Sequence, residues 1–97
     1  MKTKIEQMEN IHHGGKDHYI ITVGNKKYFE SYGKLIAIVS NGKVTLNAYY
    51  WDYSKTTAAY RNRFLGVSNK ECHKRVASGE YRVRELDSRI LVDLHNA

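Results

Sequence analysis

Aromatic and basic side chains are concentrated in one stretch of this chain, residues 49–63. Aromatic rings beside cations stack on nucleobases, bind phosphates or anchor protein interfaces. Neither kind of side chain is a natural nucleophile or general base at neutral pH, so the stretch indicates binding and not bond chemistry. Strand geometry cannot bury all of its aromatics on one side, so we expect some to be exposed. The aromatic members are Tyr49, Tyr50, Trp51 and Tyr53, and the basic members are Lys55, Arg61 and Arg63.

The histidines and the single cysteine offer the other reactive chemistry. His12 and His13 are adjacent, unlike the turn-related ligand pairs of structural zinc sites, so we expect no bound metal. Cys72 and His73 are neighbours on a predicted helix, where side chains point about 100° apart and do not face each other. We therefore expect Cys72 to pack in the core. The sequence predicts no catalytic residue and no cofactor, and the protein is not expected to be an enzyme.

A predicted strand carries the aromatic cluster. Asn41 and Gly42 both tolerate the positive φ of a type I′ turn, so they predict a hairpin. The alternation that follows predicts a strand over residues 44–51, with Leu46 and Tyr50 on one side. In this interpretation the aromatic cluster is the end of the strand.

A predicted helix follows over residues 55–65, where the period changes to 3.6. Ser54 is a suitable N-terminal cap, and Gly66 is well placed to end the helix. Arg61 falls on the apolar side of this helix. Either its side chain extends along the core so that the guanidinium reaches solvent at the rim of the core, which we favour, or it pairs with a carboxylate such as Asp52.

The remaining segments complete an α+β domain. Ser68 and Glu71 form a capping box that predicts a second helix over residues 69–78. We expect an antiparallel meander sheet of about four strands, followed by two short helices and a C-terminal return segment. One domain spans residues 1–97, and residues 1–15 are expected to be flexible. The other predicted strands are 18–23, 27–32 and 35–39, with a further alternating segment at 81–86 and a strand or short helix at 90–94.

The formal net charge of +6 is unevenly distributed, because residues 54–85 carry eight basic side chains against three acidic ones. Such a basic segment favours polyanions or an acidic protein surface as partners. Combined with the aromatic cluster, it gives the candidate residues for binding nucleic acid or another partner. These are Trp51, Tyr53, Lys55, Arg61, Arg63, Lys70, Lys74, Arg75, Arg82 and Arg84.

Composition limits the class of protein. Hydrophobic residues make up 41% and charged residues 27%, which is typical of a folded domain and unlike a disordered chain. No apolar run approaches the roughly 20 residues needed to cross a bilayer, so no membrane association is expected. Residues 1–10 lack the apolar segment of a signal peptide, and one cysteine excludes an intramolecular disulfide. These features predict a cytoplasmic setting.

Residues 51–66 read W-D-Y-S-K-T-T-A-A-Y-R-N-R-F-L-G. This segment resembles one in small uncharacterised proteins of bacteriophage accessory regions, and the resemblance extends over residues 28–80. It implies a phage gene product that acts in the host cytoplasm, without implying a particular activity. Small phage accessory proteins often bind nucleic acid or block a host defence complex, including CRISPR effectors. Their inhibitors are commonly acidic mimics of nucleic acid, whereas this chain is basic.

Two functions are consistent with these observations. The first is a small basic, non-enzymatic phage-type accessory protein that binds nucleic acid or a nucleic-acid-processing complex such as a host ribonucleoprotein. The alternative is an anti-defence, anti-CRISPR-like inhibitor that acts by direct protein–protein binding through exposed aromatics. Phosphate binding weakens steeply with salt, whereas an aromatic interface does not. The choice between DNA, RNA and protein, the sequence preference and the oligomeric state stay open at this point.

Overall fold

A six-stranded sheet in the order β1–β2–β3–β4–β5–β6 forms the centre of the protein. It is seen in a computed structural model that describes residues 2–9 and 17–97. All neighbouring strands are antiparallel except β5 and β6, which are parallel and are joined by a crossover through two helices. The strands are β1 (Thr3–Gln7), β2 (His18–Val23), β3 (Lys26–Ser31), β4 (Lys34–Ser40), β5 (Lys43–Asn47) and β6 (Arg82–Arg84), and the helices are α1 (Lys55–Leu65), α2 (Asn69–Ala77) and α3 (Ile90–His95).

The α+β class is confirmed, but the sheet has six strands where we predicted about four. The strands beyond those four are β1 at one edge and, at the other, β6, which lies within the alternating segment predicted at 81–86. β1 lies in the segment that we expected to be flexible, and it pairs with β2 along its whole length. Its side chains are almost all exposed, so it lacks the apolar alternation that reveals a half-buried strand. The part of that prediction concerning residues 1 and 10–15 lies outside the described residues.

Tight turns connect the central strands. Asn41 and Gly42 have φ values of 52° and 78°, as the predicted type I′ hairpin between β4 and β5 requires. The β3–β4 connection is similar, with φ values of 51° at Tyr32 and 74° at Gly33. A register shift between Phe29 and its neighbour produces a bulge between these two strands.

The core has one part on each face of the sheet. Helices α1 and α2 cover one face, where Phe29, Leu46, Tyr60 and Cys72 are fully buried. The short helix α3 covers part of the other face through Leu91. The predicted core segment 35–39 is buried over its first three residues and half-buried over the last two. Leu46 is buried as predicted, whereas Phe64 and Val76 are only half-buried.

The helix boundaries follow the local sequence closely. α1 has the predicted bounds, the Ser54 hydroxyl accepts a hydrogen bond from the Thr57 N–H, and Gly66 ends the helix with φ 71°. The Ser68 hydroxyl caps α2 by accepting from the Glu71 N–H at 3.0 Å, and this helix ends one residue earlier than predicted. The C-terminal return segment is a short helix, one of the two forms we expected.

Candidate functional site

Asn47 ends β5 and directs the aromatic residues away from the sheet. Its side-chain NH2 donates to the backbone oxygens of Leu35 and Leu86 at 2.6 and 3.2 Å, and its Oδ1 accepts from the Tyr49 N–H at 3.1 Å. Its backbone oxygen accepts from the N–H groups of Tyr50 and Trp51. Our prediction of a strand over residues 44–51 is therefore wrong beyond Asn47, because these bonds turn the chain and place the aromatics in a connection.

Arg61 holds this connection to α1 from inside the protein. Its exposed fraction is 0%, and its guanidinium donates to the backbone oxygen of Trp51 at 2.6 Å and to Asp52 Oδ1 at 3.0 Å. It also donates to the side-chain oxygens of Asn62 and Asn69, and it lies 5.4 Å from the centre of the Trp51 ring. The rim position that we favoured is wrong, and the pairing with Asp52 is confirmed. Burial excludes Arg61 from direct contact with a partner in this conformation.

Three tyrosines form a cluster on the surface of the connection. Tyr49 and Tyr53 are 58% and 46% exposed, and both rings contact the half-buried Tyr50, at 6.0 and 5.5 Å between ring centres. The Lys34 ammonium lies 5.5 Å from the centre of the Tyr50 ring. A hydrogen bond with Glu85 raises the pKa of the Tyr49 phenol, so this phenol remains protonated at neutral pH. We call Lys34, Tyr49, Tyr50 and Tyr53 the tyrosine cluster.

An open groove of about 520 Å³ adjoins the tyrosine cluster at Tyr53 and runs between the N-terminal ends of α1 and α2. Asp52 lines the groove and connects it to the buried Arg61, because one carboxylate oxygen accepts from Arg61 and the other lies 3.2 Å from His73 Nε2. Lys55 lies in the groove and has no ion pair within residues 2–9 and 17–97. The groove therefore offers a cation, a carboxylate and amide groups to a polar ligand.

A second cleft, of about 430 Å³, lies on the other side of the tyrosine cluster. It is lined by Lys34, Tyr49 and Tyr50 and by the segment that follows β6. Hydrogen bonds from Arg89 lower the pKa of the Asp87 carboxyl in this segment to about 2, so it is charged at any physiological pH. We call the cleft, the tyrosine cluster and the groove the strip, because the tyrosines line both cavities and each cavity holds charged groups of both signs.

The predicted basic residues do not share one surface. Lys55, Lys70 and Lys74 are exposed on the helical side, as expected. Arg63 pairs with Glu9 at 2.6 Å, and Arg75 pairs with two carboxylates, those of Glu71 and Glu80. Some of the positive charge in the segment is therefore neutralised locally.

The two arginines of β6 lie on the opposite side of the sheet. Val83 packs against the core that α1 and α2 cover. Because side chains alternate between the two faces along a strand, Arg82 and Arg84 point to the opposite face, which carries α3. Trp51 is half-buried against that same helical core, and of the two candidate aromatics only Tyr53 is well exposed. The expectation of a single basic surface is thus corrected.

Sequence reasoning did not select Lys34 and Tyr49 as candidate residues. Tyr49 belongs to the aromatic run, but assigning that run to a strand concealed that it is the most exposed ring of the four. Lys34 precedes the buried core of β4 by one residue, and nothing in the sequence indicates that it reaches Tyr50. The Asn47 side chain donates to the oxygen of Leu35, the residue after Lys34, and so brings the turn that carries Tyr50 close to Lys34.

The reactive side chains occupy structural positions. Cys72 is fully buried as predicted, and burial raises the pKa of its thiol, which favours the protonated, unreactive form. No group of three or more His, Cys, Asp or Glu side chains is arranged to hold a metal ion within the described residues, while His12 and His13 lie outside them. No helix in the described part of the chain is long and apolar enough to span a bilayer.

Comparison with known proteins gives one match. No curated protein matches the chain, and no solved structure does. A family model matches residues 3–82, which run from the start of β1 to the first residue of β6 and include the tyrosine cluster and the groove. Since this match covers most of the chain, the protein belongs to the family of unknown function DUF8033.

Proposed function

We propose that this protein is a small, non-enzymatic accessory protein of bacteriophage type that acts in the host cytoplasm by binding single-stranded nucleic acid. The observation that carries the proposal is the tyrosine cluster, in which two exposed rings flank a third ring that is covered by an ammonium group. The phage assignment is supported by the resemblance of residues 51–66 described above. Tyr49 and Tyr53 are the two most exposed tyrosines within residues 2–9 and 17–97, and Lys34 and Lys55 lie beside the cluster.

Exposed tyrosines suit unpaired bases for a physical reason. Every base has an aromatic face, so stacking on Tyr49 or Tyr53 tolerates any sequence and is worth about 1–3 kcal/mol per base. The bases of a duplex are already stacked on one another and are not available to the rings. Lys55 in the groove and Lys70 and Lys74 beside it supply cations for the phosphates that connect successive bases.

The test is binding of short single-stranded DNA and RNA, measured by fluorescence anisotropy with matched duplexes as competitors. Replacing both Tyr49 and Tyr53 by Ala should weaken binding at least tenfold, which corresponds to about 1.4 kcal/mol or more. Replacing both by Phe retains the stacking faces and should keep most of the affinity. Equal binding by wild-type protein and the Ala variant, with an unchanged fold by circular dichroism, would show that the rings do not contact the bases.

A second candidate is an anti-defence inhibitor that binds a host protein, and the mixed chemistry of the strip supports it. Glu85 and Asp87 lie beside Tyr49, and tyrosines among charges of both signs are common in protein interfaces. Capture of partners from host lysate with and without nuclease separates the two candidates. A protein partner retained after nuclease treatment and in high salt, and absent when the Tyr49→Ala variant is used, would favour the inhibitor.

A further inference from the structure

The outer side of β1 is an unpaired strand edge. β1 pairs with β2 on one side, and no strand in the described part of the chain pairs with its other side. The side chains of this strand are mostly exposed, and its central residue, Ile5, is a 40% exposed hydrophobe. Unpaired edges are templates for strand addition, and proteins usually protect them with charges, prolines or bulges.

The backbone of β1 presents a regular set of hydrogen-bonding groups outward. The Met8 N–H donates to the His18 oxygen at 2.8 Å, so Met8 points its backbone groups toward β2. In an antiparallel ladder these groups alternate between the two sides of a strand. Thr3, Ile5 and Gln7 therefore point their N–H and C=O groups away from β2, toward the outside of the sheet.

The side chains of β1 are complementary to those of a second copy. Lys4 and Glu6 flank Ile5 symmetrically, so an antiparallel copy centred on Ile5 places Lys4 of each chain opposite Glu6 of the other. Like charges at positions 4 and 6 would repel an identical strand, whereas one lysine and one glutamate attract it. Within one chain the same two side chains are 3.5 Å apart but 70% and 54% exposed, so they are available to exchange partners.

We propose that this protein forms a two-fold symmetric homodimer by antiparallel pairing of β1 with β1 of a second copy, centred on Ile5. In this dimer the two Ile5 residues exchange backbone hydrogen bonds, and Thr3 of each chain does so with Gln7 of the other. Lys4 and Glu6 then occupy the non-hydrogen-bonded positions, where opposing side chains are closest. The two sheets become one continuous sheet, with α1 and α2 of both copies on the same face. The inference is independent of the proposed nucleic-acid binding.

Pairing of a five-residue strand buries little area compared with the roughly 1,600 Å² of a standard interface, so the dimer should dissociate on dilution. Sedimentation of the full chain from about 1 μM to about 1 mM should show the mass rising from 11.3 kDa toward twice that value. Any affinity tag belongs at the C-terminus, away from β1. A monomer throughout this concentration range would overturn the proposal.

Charge reversal tests the register. The Lys4→Glu variant places carboxylates opposite carboxylates, and the Glu6→Lys variant places ammonium groups opposite ammonium groups, so each alone should be monomeric at concentrations where the wild type is dimeric. Mixed in equal amounts, the two variants should associate, because every opposing pair then has opposite signs. The double variant Lys4→Glu with Glu6→Lys should dimerise like the wild type. Dimers of either single variant, or no association of the mixture, would exclude this interface.

The main chain is tested by Ile5→Pro. Proline removes the N–H of residue 5, which points outward and takes no part in the β1–β2 ladder. The variant should keep the circular dichroism spectrum of the wild type and lose dimerisation. In the wild type, amide exchange at Ile5 should slow as concentration rises while exchange at Lys4 stays constant. Concentration-independent exchange at Ile5 in a sample that sediments as a dimer would place the interface elsewhere.

Discussion

At the scale of single residues, the polar positions of the segment 51–66 are used mostly inside the protein. Asp52, Arg61 and Asn62 bond to one another or to the backbone of the connection. These bonds hold the connection against α1, while Asp52 and Asn62 also line the groove beside Tyr53 and Lys55. A segment that looks like a binding motif in the sequence is therefore also a structural unit, since Arg61 is fully buried while Asp52 and Asn62 serve both the internal bonds and the groove.

Arg61→Ala should lower the free energy of unfolding by about 3 kcal/mol or more, because it removes a fully buried side chain and leaves the Trp51 oxygen and the Asp52 carboxylate without their donor. Arg61→Lys should recover only part of this loss, since an ammonium cannot reproduce the planar set of donors. Urea denaturation followed by tryptophan fluorescence measures both. Arg63→Ala, which removes an exposed pair on the same helix, is the control and should cost less than about 1 kcal/mol. Similar losses for Arg61→Ala and Arg63→Ala would contradict the buried network.

At the scale of elements, the sequence predicted the features that depend on contacts between residues close together in the chain. The bounds of α1, the hairpin at Asn41 and Gly42 and the cap at Ser68 depend on residues close in sequence, and all three were predictable. The end of β5 was not, because Asn47 bonds to backbone groups of β4 and of the segment after β6. β-prone aromatics beyond that residue look like a continued strand when those distant partners are unknown.

The edge strands were predicted in part, because the alternating segment at 81–86 contains β6 whereas β1 was not predicted. β1 is exposed and therefore carries no apolar period, and β6 is only three residues long. The pairing of β6 with β5 depends on a crossover whose direction cannot be read from local pattern. The candidate site was predicted in part, since the aromatic and basic types were identified but their division between two faces was not.

Asn47→Ala tests the element boundary. It should destabilise the protein by about 2–3 kcal/mol, because the buried oxygen of Leu35 loses its side-chain donor. It should also loosen the connection that carries the tyrosine cluster, which would appear as faster amide exchange at Tyr49 and weaker partner binding. Asn25→Ala, at an exposed turn, is the matched control and should change stability by less than about 0.5 kcal/mol. An Asn47→Ala protein as stable as this control would show that the side chain does not end the strand.

At the scale of the whole molecule, the net charge of +6 is divided between two surfaces. Lys55, Lys70 and Lys74 lie on the helical side near the groove. Another set lies on the side of α3. Lys26 and Lys43 are each paired with Ser40 in the sheet, and Val23 is paired with Lys26, so all four side chains lie on one face. Val23 packs against the core on the α3 side, which identifies that face as the one carrying α3. Arg82 points to the same face. Each set carries three positive charges, and of these six residues Lys55 lines the groove that Tyr53 also lines.

Two triple variants separate direct phosphate binding from the long-range field. Replacing Lys55, Lys70 and Lys74 by Gln, or Lys26, Lys43 and Arg82 by Gln, lowers the net charge by the same amount and leaves the core unchanged, since all six side chains are exposed. If the helical lysines bind phosphates of a single strand, the first variant should flatten the slope of log affinity against log salt by about 0.7 for each phosphate that is no longer bound. The second variant should keep the wild-type slope and show only modestly weaker affinity at low salt. If both variants had the same slope of log affinity against log salt, neither set of cations would be the phosphate-binding surface. Defined contacts with nucleic acid would then have to be assigned to the tyrosines alone.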